Sequence, residues 1–81
     1  EVNERYQLWN KAFSGTCILH PDVDVWKVAE EYELAGGAII NVLRFCALAV
    51  VSRGDTVVTK EELLEGIRKE FKKENKTITT F

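Results

Sequence analysis

Between Ala38 and Val51 the chain is apolar at every position except Asn41 and Arg44. A helix of that character needs cover on most of its sides, so it predicts a central element with other helices packed around it. The run is too short to cross a bilayer, which takes ~20 apolar residues, and no membrane partner is expected. The chain has 81 residues, enough for one domain that buries roughly 60–65% of its unfolded surface. A large enzyme core with a deep substrate cleft does not fit in that length. The chain begins at Glu1 and contains no methionine, from which we expect a piece of a longer polypeptide.

Three further segments carry helical periodicity. Val2, Tyr6, Trp9 and Phe13 form one apolar stripe, which predicts a helix over Val2–Phe13 that stops at Ser14-Gly15. A loop over Thr16–Pro21 follows. Asp22 or Asp24 starts the second helix by accepting from free amides, with Val25, Val28, Ala29 and Tyr32 turned inward and Lys27, Glu30, Glu31 and Glu33 turned to water. Gly36-Gly37 separates it from the apolar helix, which is expected over Ala38–Ser52 and is stopped by Arg53-Gly54-Asp55. Val57-Val58 is expected to be a short extended link. Thr59 followed three residues later by Glu62 reads as a capping box that opens a fourth helix, with Leu63, Leu64, Ile67 and Phe71 as its stripe and Asn75 as its stop. Gly66 within that helix weakens it by ~1 kcal/mol relative to alanine. The expected fold is all-α, a small four-helix bundle with a buried third helix, formed by residues 1–76, with 77–81 as a tail.

Charge and chemistry narrow the function classes. The net charge is −2 and the pI about 5.4, without the basic stripe that a nucleic-acid binder shows, so no nucleic acid is expected. Cys17 and Cys46 have no metal or redox spacing, and with His20 they fall short of the four ligands of a zinc site. Two cysteines in so small a domain point to a reducing compartment, and the expected location is cytoplasmic. His20-Pro21-Asp22 matches the loop tripeptide of J-domain co-chaperones, but the basic helix that precedes it in that family is missing here, so the match fails. Nothing near His20 orients it as an acid or base. No catalytic residue and no metal ligand is assigned. The mixed-sign charges of the fourth helix (Glu61, Glu62, Glu65, Arg68, Lys69, Glu70, Lys72, Lys73) read either as a solvated face or as a contact surface for a partner subunit.

Gly36-Gly37 is the most informative pair. One glycine suffices for a turn. Two before a helix start leave amides with no side chain in the way, open to an acceptor atom or a flat ring.

The string from Tyr32 through Glu33, Leu34, Ala35, Gly36, Gly37, Ala38, Ile39, Ile40 and Asn41 to Val42, followed by Ala47-Leu48-Ala49, resembles the small helical lid subdomain of AAA+ ATPases. Arg5, Leu8-Trp9 and Phe13 are similar to that lid's first helix, Asp22-Val23-Asp24 with Ala29 to its second, and Thr59 to Leu64 with Ile67 and Glu70 to its last. The resemblance spans Glu1 to about Lys76. It implies a lid that closes over bound ATP, with Gly36 and Gly37 beside the base and ribose, and that couples nucleotide state to subunit motion. It implies as partners an N-terminal α/β ATPase subdomain of the same polypeptide, which would bind the Mg²⁺, and neighbouring subunits of a homo-oligomeric ring. The lid alone is then no enzyme, since the phosphate loop and metal-binding motif lie elsewhere. Many relatives carry an arginine where this chain has Ile40; Arg44, one turn further, is the candidate to reach the cleft instead. The alternative from the residues themselves is a helical protein-interaction module with no nucleotide role.

Overall fold

The computed structural model describes the backbone of residues 1–79 and the side chains of residues 1–74. Four helices and two very short strands follow one another: α1 (Val2–Ala12), β1 (Ile18–Leu19), α2 (Val25–Glu31), α3 (Gly36–Ser52), β2 (Val57–Val58) and α4 (Lys60–Thr79). The fold is therefore mostly helical, as the periodicity predicts, but it is not purely α. β1 and β2 pair in parallel, with Ile18 opposite Val57 and Leu19 opposite Val58. The His20 amide extends the ladder by donating to the Val58 carbonyl at 2.9 Å. The expected loop and extended link are thus two halves of one structure.

Each helix start has a local cause except one. The Glu1 carboxylate accepts from the Glu4 amide at 3.1 Å, and the Asp24 carboxylate from the Lys27 amide at 3.2 Å. The capping box of α4 forms in both directions: the Glu62 amide donates to Thr59 Oγ1 at 3.1 Å and the Thr59 amide to Glu62 Oε1 at 2.9 Å. The exception is α3, which opens at Ala35 without a side-chain cap. It begins at Gly36, two residues before the expected start. α4 passes through the expected stop at Asn75 and continues to Thr79, so most of the predicted tail is helix; residues 80–81 lie outside the described residues.

α3 is central but not enclosed. It packs against α1, α4 and β2, while α2 packs chiefly on α1. Its inner side, Ile39, Val42, Cys46 and Val50, is buried together with Trp9, Leu34, Val58, Leu63 and Ile67. Its outer side is open: Ile40 is 38% exposed, Val51 64% and Leu48 69%. The expectation of a helix buried all round is corrected to a helix buried on one side.

Gly66 is where α3 and α4 approach most tightly at a glycine. A Cβ there would lie 3.0 Å from Val42 Cγ1 and 3.1 Å from Phe45 Cδ2. Its absence serves packing, and the helix-propensity cost read from the sequence is secondary.

Arg53, just past α3, gathers the segments that follow. Its Nε and Nη2 donate to the two Glu62 carboxylate oxygens at 3.0 and 2.8 Å, its Nη1 to Asp55 at 2.6 Å, and its Nη2 also to the Val57 carbonyl at 2.7 Å. Gly54 turns the chain with φ 71°, the left-handed conformation expected after a helix end. The Asp55 carboxylate in turn accepts from the Thr56 and Val57 amides. The Arg53 hydrogen bond and that of the Thr59 amide bring the Glu62 carboxyl down to about 2 from 4.5. The Thr56 and Val57 amides, then Arg53, lower that of Asp55.

Two outcomes follow for stability. A carboxylate whose folded pKa is depressed stabilises the fold fully above its unfolded value and loses that contribution as pH falls toward the folded value. The urea midpoint is therefore expected to fall as pH drops from 4.5 toward 2, with a shallower fall in Glu62→Gln; a Glu62→Gln profile parallel to wild type would contradict the Arg53–Glu62 assignment. Gly66→Ala is expected to lower unfolding free energy by about 1 kcal/mol net, because overpacking against the fully buried Val42 outweighs the better helix propensity. Equilibrium denaturation measures it, and Gly66→Val should cost more.

Candidate functional site

The chain reaches the glycine pair through an extended link. Tyr32 ends α2 with its ring 6.1 Å from that of Phe71 on α4. Leu34 then drops into the core at 3% exposure, and Ala35 follows in extended conformation. The buried leucine fixes where the chain turns upward, so the position of the α3 start is set by hydrophobic packing.

The first intrahelical bond of α3 runs from the Ile39 amide to the Ala35 carbonyl at 3.1 Å. The amides of Gly36, Gly37 and Ala38 precede it and have no side-chain cap to donate to. No acidic residue stands in the first turn, so the positive end of the helix dipole is not offset locally. Both glycines are exposed, and neither has a positive φ. A Cβ on Gly37 would meet nothing within 4 Å, and one on Gly36 only Leu8 Cδ1 at 3.7 Å, an ordinary contact. The expectation of a glycine turn between two helices is corrected: the pair occupies the first turn of α3 itself, in a conformation that any residue could adopt. The arrangement leaves three amides without a side-chain cap beside two exposed glycines, suited to an acceptor atom or a flat ring laid against the backbone.

One turn further, Asn41 interrupts the apolar run for a reason that the sequence does not reveal. Its Nδ2 donates to Glu70 Oε1 at 3.1 Å, and Lys73 Nζ donates to Glu70 Oε2 at 2.7 Å. Burial works to raise the Glu70 pKa, but the hydrogen bonds from Lys73 and Asn41 outweigh it and hold the carboxyl below its usual range. This links the helix that opens at the glycines to α4. Asparagine inside an apolar stretch is the signal of a buried polar contact, but its partner 29 residues away is not readable from spacing.

The remaining candidates fall apart spatially or chemically. Arg44 is exposed on the outer side of α3 and, among the described residues, makes no hydrogen bond or ion pair. Ile40 lies between it and the glycines, 38% exposed. His20 is on an exposed loop, where its Nδ1 accepts from the Asp22 amide at 3.0 Å and lies 3.5 Å from the exposed Asp22 carboxylate, a local turn contact. Cys17 and Cys46 are free and buried. Burial raises both thiols; for Cys46 the neighbouring Cys17 and Glu62 add to it and take the value to about 12, so both behave as core side chains. On α4, Glu62 and Glu70 are committed to internal contacts, and Lys69 Nζ sits 5.3 Å from the centre of the Phe45 ring. Part of that charge pattern is therefore internal fastening. Among the described residues no three His, Cys, Asp or Glu side chains converge as a metal site requires, and no helix is long and apolar enough to cross a membrane. A groove between α2 and α4, floored by Val28, Leu63 and Leu64, does not include either glycine.

The chain matches no known family model, and no curated protein is similar enough to count as a match. The candidate site therefore rests on its geometry alone.

Gly37→Ala should raise the thermal midpoint slightly, by about 0.5 kcal/mol of stability, because the native backbone accepts alanine there and the unfolded chain loses freedom. A clear loss of stability would show that the fold itself needs that glycine.

Proposed function

We propose that this chain is the lid subdomain of an AAA+ ATPase. It would close over ATP held by an α/β ATPase subdomain of the same polypeptide, which also supplies the Mg²⁺ site, and would pass the change in position to neighbouring subunits of a ring. The observation that carries this reading is the bare start of α3: two exposed glycines that the fold does not require, with three amides and no cap. An uncapped helix start suits an acceptor atom of a nucleotide, and the missing side chains leave room for a flat ring beside it. The rest of the chain suits a body that moves as one piece. Arg5 Nε donates to the Ala29 carbonyl at 2.8 Å and fastens α1 to α2, and Asn41–Glu70 fastens α3 to α4. A displacement at the glycines would then reach the exposed charges of α4 without loss inside the domain.

With one wall of the cleft only, the 81-residue chain should bind ATP too weakly to detect and should not hydrolyse it. The test uses the protein expressed from its complete gene. With Mg²⁺ present, it is expected to bind a fluorescent ATP analogue, and Gly37→Val is expected to weaken that binding by about tenfold or more while the thermal midpoint of the domain stays level. Absence of ATP binding by the wild-type protein would overturn the lid reading.

A further inference from the structure

Trp9 is fully buried, and its Nε1 has no hydrogen-bond partner among the described residues. A buried donor left unpaired is costly, so nearly all such groups in folded proteins find an acceptor. Phe13 does not serve as one. The two rings are stacked, with centroids 6.1 Å apart and 21° between their planes. An indole N–H lies in the plane of its own ring, so it runs alongside the Phe13 face and not into it.

The same side chain forms part of the wall of a cleft between the end of α1 and the segment that leads from β1 into α2. The cleft measures about 270 Å³. Phe13, Val23 and Val25 line it, together with Ile18, which is 47% exposed although it is aliphatic. An apolar cavity of about 150 Å³ holds a benzene ring, so the volume suits a six-membered ring with a small substituent. Asn10 and His20, both exposed, are polar side chains of the lining, and no carboxylate, lysine or arginine takes part. A charged ligand would give up water without gaining a counter-charge, which selects for a neutral one. A water on the indole would need two to four polar partners, which a wall of this composition offers poorly. We propose that the cleft is a binding site for a small neutral carbonyl compound, an apolar ring or short chain whose oxygen accepts from Trp9 Nε1. Neither Gly36 nor Gly37 lines it, so the inference stands apart from the lid reading.

The indole resonances of the isotopically labelled 81-residue chain test this. The two tryptophans give two indole N–H signals, and the one lost in Trp26→Phe belongs to Trp26. Cyclohexanone is the probe. It is expected to move the Trp9 N–H proton downfield, as a new hydrogen bond to oxygen does, with a Kd on the order of 1 mM. Cyclohexylamine has the same size but is cationic at neutral pH and carries no free lone pair, so it should leave that signal in place. Ile18→Ala alters the wall at an exposed position, outside the buried core, and is expected to weaken cyclohexanone binding by about threefold or more. A Trp9 signal that stays still with cyclohexanone would overturn the proposal. So would an equal shift with cyclohexylamine, a shift confined to Trp26, or an unchanged affinity in Ile18→Ala, which would place the molecule outside this cleft.

Discussion

The contact between α3 and α4 is the constraint from which the rest of the structure follows. At Gly66 the two helices come close enough that a single added carbon would press on Val42 and Phe45. That closeness lets Leu63 and Ile67 reach the same core as Ile39, Val42 and Cys46, and it places Glu70 within hydrogen-bonding distance of Asn41. With α4 fixed along one side of α3 and α1 along another, the third side has no element left to cover it. Among the described residues the outer face of α3 stays open, and the bare start of the helix lies on that same face.

The second fastening is electrostatic and local. Arg53 ties the end of α3, the turn at Gly54, the start of β2 and the first turn of α4 through side-chain and backbone acceptors. The pairs are partly exposed, so each one taken alone contributes little. Their shared guanidinium nevertheless joins the first turn of α4 to the segment that leads into it. Packing at Gly66 and ion pairing at Glu62 therefore act one turn apart near the start of α4.

What the sequence discloses of this fold follows the range of the interactions. The α4 capping box is legible because Thr59 and Glu62 are three residues apart and satisfy each other, and the stripes of α1 and α2 are legible because a helix repeats its own pattern. The parallel pair is not, because two residues in each strand are too few to show alternation and their partners lie far apart in the chain. Gly66 reads as a weak point, since the neighbour that requires its small size is on another helix. Asn75 reads as a stop, but its backbone stays helical. The glycine pair stands out in the sequence, yet its placement within the first turn of α3, without a positive φ, depends on Leu34 entering the core and is visible only in three dimensions. Asn41 and Glu70 can be noticed singly but not joined.

The β1–β2 pair has a consequence for how the domain assembles. Ile18 and Val57 are 39 positions apart in the chain, and a closure of that length carries an entropic penalty that four backbone residues do not offset on their own. The helical contacts of α1 with α2 and of α3 with α4 join near neighbours and form at lower entropic cost. The strand pair therefore closes at a higher entropic cost than either helical contact, and the fully buried Val58 is the residue whose packing works against that cost.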